Sequence, residues 1–183
     1  DVPAGVIHSP GSLVTYEPQS ASDVNVFYQN LVNGRFNPRD PAQYVNGDDF
    51  EYLIELLDWE ANTDPDFKEK HFRLPKPVNR DNVPGETGLD EQWICYGRDA
   101  FAAKELTVLP RHTVTVTDSA AYGFITVQGH GVVNGVPVES PSMIRFGERT
   151  SDEFFVTEGA ALHGVEIENR SPSENLVMLK HFG

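Results

Sequence analysis

Apolar and polar residues alternate in two different ways along this chain, and the change falls near residue 100. From Phe101 to Phe182 the pattern is almost continuous strand signal. Ala102 to Leu109 reads as one strand, and His112 to Thr117 (HTVTVT) alternates strictly with period two. Tyr122 to Gln128 (YGFITVQ) is rich in β-branched and aromatic residues. Gly131 to Val138 carries Asn134-Gly135, the pair that a tight hairpin turn with two positive φ angles favours. Ser142 to Phe146, Glu153 to Thr157, Leu162 to Glu168 and Asn175 to Lys180 follow, with Gly, Pro, Ser and Asp between them. About eight short antiparallel strands at such spacing predict a sandwich or small barrel of the jelly-roll kind. The mouth of such a barrel is a place where small ligands bind.

Upstream the pattern is mixed. Ser12 to Tyr16 and Asp23 to Tyr28 read as strands. Leu31 to Gln43 is punctuated by Asn33-Gly34, Asn37-Pro38 and Asp40-Pro41, a surface loop or linker. Asp48 and Glu51 have the spacing of a capping box, and Phe50, Leu53, Ile54, Leu57 and Ala61 then recur at helical spacing. Thr63-Asp64-Pro65 ends that helix and starts a shorter one, Asp66 to His71. Pro75 to Gly88 reads as an extended connector.

Composition narrows the partners. The chain has 183 residues, enough for one full domain and a good part of a second. A formal charge of −14, from 28 acidic and 14 basic residues, argues against a nucleic-acid or anionic membrane partner. The one cysteine, Cys95, has no internal disulfide partner, and its apolar strand predicts a buried, inert thiol. No apolar run reaches membrane-spanning length and no signal peptide is visible, so the expected location is cytoplasmic.

The opening residues bring in a resemblance. Pro3-x-Gly5-x-x-His8 resembles the second signature motif of the cupin superfamily, in which a tight turn presents a histidine inward to a metal. The wider pattern (PAGVIHSPGS, LLDWEAN, AKELTVLP, AYGFITVQGHG, DEFFVTEGA, LVMLKHFG) resembles bacterial two-cupin proteins of the mannose-6-phosphate-isomerase-like kind. This implies an all-β fold: a cupin-like jelly-roll barrel (double-stranded β-helix), a helical linker and the remnant of a preceding barrel. Residues 1–30 would be the closing strands of a first barrel, 31–92 a linker with two short helices, and 93–183 a second barrel. On this view Asp1 lies inside a domain and the chain is the C-terminal part of a bicupin. The open strand edges would then pair with a missing N-terminal cupin segment or with another copy of the chain.

The resemblance also carries ligand expectations. His8 would be a metal ligand in the first barrel, for Zn, Fe, Mn or Ni, with the His-x-His and Glu of the usual site lying elsewhere. In the second barrel Gly129 matches the glycine of the first cupin motif. Tyr122 then stands where the glutamate belongs, and Thr115 and Thr117 stand where the two histidines belong. Neutral hydroxyls are poor ligands for these ions, so no metal is expected there. Leu162 occupies the histidine position of the second motif, and His163 is one place late. His163 would point inward after a one-residue bulge, or else be a hydrogen-bonded core or rim residue. Thr113, Thr115 and Thr117 would face Tyr122, Phe124, Thr126 and Gln128 across the interior. That makes Thr115, Thr117, Tyr122, Gln128 and His163 the candidate pocket for a sugar-like small molecule. The alternative is a satisfied polar core, filled by its own side chains, with Val114 and Val116 facing a partner sheet.

Other chemistry-bearing residues read more plainly. His112 and His130 suit the surface or a loop, Lys104 and Glu105 lie on opposite faces of one strand, and Arg145 suits a surface ion pair. Glu148, Asp152, Glu153 and Glu158 form an acidic run of the kind that solvates an edge. Trp59 and Trp93 suit packing. Phosphate loops, Cys-x-x-Cys pairs and nucleophile elbows are lacking. Three functions remain open: a metal-dependent enzyme of the sugar or sugar-phosphate isomerase kind at His8, with the metal as Lewis acid; a non-catalytic cupin that binds a sugar-like small molecule; and a metal-dependent oxygenase.

Overall fold

Alternation becomes architecture where two sheets hide the same phase of their strands. A computed structural model describes residues 1–9, 14–19, 31–36, 50–141 and 146–183. Its chain divides into two compact units, Asp1–Arg73 and Leu74–Gly183.

In the first unit β1 (Leu31–Val32) and β2 (Arg35–Phe36) form a small hairpin around Asn33 and Gly34, both at positive φ. Three short helices follow: α1 (Phe50–Glu55), α2 (Trp59–Thr63) and α3 (Phe67–His71). The single long helix expected over Phe50 to Ala61 is two helices. Asp58 breaks it, because its carboxylate accepts from Ala61 N at 2.9 Å and so caps a new helix start. Residues 1–9 contain no strand. The Pro3–Val6 turn is instead tied to α2: Asp58 N and Asn62 Nδ2 both donate to the Gly5 carbonyl, at 3.0 and 2.7 Å, and Ile7 N donates to Asn62 Oδ1 at 2.9 Å. Gly5 is required there. Its φ is +79°, and a Cβ would lie 2.8 Å from Asp58 N. Val14 to Tyr16 is not strand either, whereas Asp23 to Tyr28 and Asp48 lie outside the described residues.

In the second unit the strands are β3 (Lys76–Pro77), β4 (Leu89–Cys95), β5 (Ala102–Val108), β6 (Thr113–Val116), β7 (Tyr122–Gln128), β8 (His130–Val133), β9 (Val136–Glu139), β10 (Glu153–Val156), β11 (Val165–Glu168) and β12 (Leu176–Phe182). Short helices α4 (Pro84–Thr87) and α5 (Glu158–His163) interrupt them. Six strands pair in the order β10-β7-β12-β5-β4-β3 and four in the order β6-β11-β8-β9, all antiparallel. This mostly β, two-sheet arrangement is consistent with a jelly roll. Asn134 and Gly135, both at positive φ, make the β8–β9 turn that the sequence predicts. The strand expected over 142–146 lies almost wholly outside the described residues. The barrel's sheet also reaches further upstream than Trp93, since β3 and β4 both pair into it.

The core is formed by Leu106, Val108, Leu176 and Met178 from one sheet and Val114, Val116, Val133, Val138, Val165 and Ile167 from the other. Burial of these aliphatic side chains, each worth roughly 1.5–3 kcal/mol, is the main force holding the sheets face to face. Two local expectations are corrected. In β6 it is Val114 and Val116 that are buried, while Thr113, Thr115 and Thr117 are exposed. The hydrophobic phase wins over the motif alignment, because a slip of one residue would expose both valines. The stretch from Glu158 to His163 is helix rather than the start of a strand: Thr157 caps it by accepting from Ala160 N, and Gly164 ends it at positive φ. Among the described residues no helix is long and apolar enough to cross a membrane.

Candidate functional site

Four charged residues occupy positions that belong, by phase, to the core. In β4 the inward set is Leu89, Glu91 and Trp93; in β5 it is Lys104, Leu106 and Val108; in β12 it is Leu176, Met178, Lys180 and Phe182. On the opposite sheet Asp118 continues the phase of Val114 and Val116 just past β6, pinned by a bond from its own N to Ala161 O at 3.1 Å.

Strand register then brings these residues together. Trp93 pairs with Lys104, Lys104 with Lys180, Lys180 with Phe124, and Phe124 with Phe154. These residues form one row across β4, β5, β12, β7 and β10. The next row runs Glu91, Leu106, Met178, Thr126. Two lysines directly opposite each other on adjacent strands repel unless their charge is met. Asp118 meets it from across the barrel. Its Oδ1 accepts from Lys104 Nζ at 2.5 Å, and its Oδ2 accepts from Lys180 Nζ. Glu91 Oε1 accepts from Lys180 at 2.7 Å and lies 3.4 Å from Lys104. Two ammoniums and two carboxylates balance.

The cluster is buried and walled by rings. Side-chain exposure is 2% for Lys180, 3% for Asp118, 6% for Lys104 and 10% for Glu91. Lys104 Nζ stands 4.6 Å from the Trp93 ring centre, and Lys180 Nζ stands 4.6 Å from that of Tyr122. Phe182 packs between, with its centroid 6.0 Å from Trp93 and 5.4 Å from Tyr122. Burial pushes the Tyr122 phenol above its ordinary pKa, and the carboxylates of Asp118 and Glu91 push it the same way. Trp93 and Phe182 are half-buried, so the charged cluster lies one side chain beneath the surface. Ammonium N–H groups and carboxylate lone pairs beside half-buried rings are groups that hydrogen-bond and stack small polar molecules.

The residues predicted from sequence do not converge. Tyr122 is buried within the cluster. Thr115, Thr117 and Gln128 are exposed. His163 is exposed at the end of α5, with its Nδ1 bonded to Gly159 O at 2.6 Å. His8, in the first unit, is exposed, with Nδ1 3.0 Å from Val6 O. Among the described residues no group of three His, Cys, Asp or Glu is placed to hold a metal. Lys104, Lys180, Asp118 and Glu91 were the residues to find, and a signal for them was present: each is a charge at an apolar phase of its strand.

No protein-family model matches this chain, and no curated protein matches it. Solved structures resemble its outline. A targeted domain of a Vibrio parahaemolyticus protein of unknown function aligns at 15% identity over 60% of this chain and 98% of that one, with a TM-score of 0.41. A cupin 2 conserved barrel domain protein from Salinispora arenicola aligns at 14% identity over 62% and 91%, with a TM-score of 0.39. A polyketide cyclase from Streptomyces resistomycificus aligns at 13% identity over 51% and 63%, with a TM-score of 0.37. At these values the likeness carries no activity over to this chain.

Proposed function

We propose that the second unit is a small-molecule-binding barrel for a sugar-like ligand, without catalysis of its own. One observation carries this reading: the Lys104–Asp118–Lys180–Glu91 cluster, buried beneath the half-buried rings of Trp93 and Phe182. Hydroxyl-rich rings suit such a place, because their O–H groups pair with carboxylates and ammoniums while their C–H faces stack on aromatics. The mutual pairing of the four charges favours binding over chemistry, since each ammonium is already held by a carboxylate.

Trp93 gives the test. In a Trp59→Phe background its fluorescence is titrated with hexoses, hexose phosphates and polyols. A saturable change, lost in Lys104→Met protein that keeps its circular dichroism, is the expected result. No saturable change with any of these ligands in folded protein would refute the reading. The metal-dependent isomerase and oxygenase readings rest on the resemblance at His8. Metal content measured on the protein and on His8→Ala decides them: equal metal in both removes His8 from any site.

A further inference from the structure

A second polar place lies on the same wall, one row from Lys180, and it is not satisfied. Thr126 is 1% exposed and Asp152 is 8% exposed. Thr126 N donates to Asp152 O at 2.7 Å, which extends the β7–β10 register, Ile125 with Glu153, by one pair. Thr126 and Asp152 are therefore direct cross-strand neighbours. Both take the inward phase, Thr126 with Phe124 and Tyr122, and Asp152 with Phe154 and Val156. Cross-strand neighbours of this kind have Cβ atoms about 4.5–5.5 Å apart. Thr126 Oγ1 and Asp152 Oδ1 are both buried and both lack a hydrogen-bond partner. A buried carboxylate oxygen and a buried hydroxyl left unpaired are costly, and the two lie side by side on the barrel wall.

We propose that Thr126 and Asp152 form a subsite for one hydroxyl group of a small polyol. A hydroxyl fits both partners at once. It accepts from the Thr126 O–H and donates to Asp152 Oδ1. An ammonium has no lone pair, so it would leave the Thr126 proton unmet. Met178 is the register partner of Thr126, and Phe124 and Phe154 stack with centroids 5.3 Å apart two pairs further along. This subsite stands without the ligand reading at Trp93, and the two have separate reporters.

The chain contains two methionines, Met143 and Met178, and Met178 sits beside Thr126. The experiment follows the labelled ε-methyl resonance of Met178 in the full chain, assigned with Met143→Leu, while glycerol, erythritol and mannitol are added. The expected result is a saturable shift whose affinity falls tenfold or more in Thr126→Val and in Asp152→Asn. Thr126→Val should keep or raise the melting temperature without ligand, since it deletes an unpaired hydroxyl, so failure to fold does not confuse the outcome. Absence of a saturable shift, or equal shifts in wild type and both variants, overturns the proposal. So does saturation by methylammonium but not by polyols. Persistent water contacts to the Thr126 methyl that no polyol displaces would mean an ordered water only, and would also overturn it. Lys104→Leu, which adds no methionine methyl, acts on the Trp93 signal and leaves the Met178 shift in place, so either reading can fail alone.

Discussion

The two walls of the barrel are built on the same alternation and hide different chemistry. The four-stranded wall buries Val114, Val116, Val133, Val138, Val165 and Ile167, all β-branched, and sends in one charge, Asp118, from beyond the end of a strand. The six-stranded wall buries Leu106, Val108, Leu176 and Met178, and among them Lys104, Lys180 and Thr126. One wall supplies cohesion and the other supplies polar groups. The division matters because a buried charge is tolerated only where partners converge. Two lysines on adjacent strands leave room for a carboxylate from each side, Glu91 along the sheet and Asp118 across it.

That contrast can be broken most severely at Asp118. Replacing it with alanine leaves Lys104 and Lys180 facing each other with one carboxylate, and we expect a loss of about 3–5 kcal/mol in urea denaturation. Replacing the cluster together, with Lys104→Met, Lys180→Met and Asp118→Leu, should cost far less, because no charge is then left unpaired. A mild effect from Asp118→Ala alone would mean that the charges are not dry. On the aliphatic wall Ile167→Val removes one methyl group from a residue 2% exposed, and about 0.5–1.5 kcal/mol should be lost by the same measurement.

Alkaline pH sharpens the comparison further. The folded-state pKa of Tyr122 is raised above its unfolded value. Its contribution is therefore fully present below the unfolded phenol value, about 10, and is lost as pH rises from there toward the folded pKa. Denaturation midpoints should fall more steeply above that point in wild type than in Tyr122→Phe, and parallel curves would place the phenol in water. The smallest effect is expected outside the barrel wall. Thr115→Ala should change stability by no more than about 0.5 kcal/mol and leave Trp93 titrations unaltered.

Much of the barrel was legible in the chain. The strands over β5, β6 and β7 and the Asn134-Gly135 hairpin fall where the pattern puts them, because alternation and turn chemistry are local. In two segments motif alignment and structure part. Alignment with metal ligands sets Thr115 and Thr117 inward, yet Val114 and Val116, which alternate with them, are the stronger constraint. His163 was given to a strand, although Thr157, the paired alanines and Gly164 spell a capped short helix. The opening turn at Gly5 was read as the edge of a barrel, while its carbonyl is taken by Asp58 and Asn62 of α2.

The cluster marks the boundary between the two kinds of information. The amino-acid sequence by itself carries the alternation of each strand, and Glu91, Lys104, Asp118 and Lys180 fall in step with its apolar positions. Only the tertiary structure decided that those four meet. Phase is set within a strand by the pleat, whereas register between β5 and β12 joins Lys104 to Lys180, far apart along the chain, through pairings that no local pattern specifies. Closure of one sheet over the other then decided that Asp118 would reach them both.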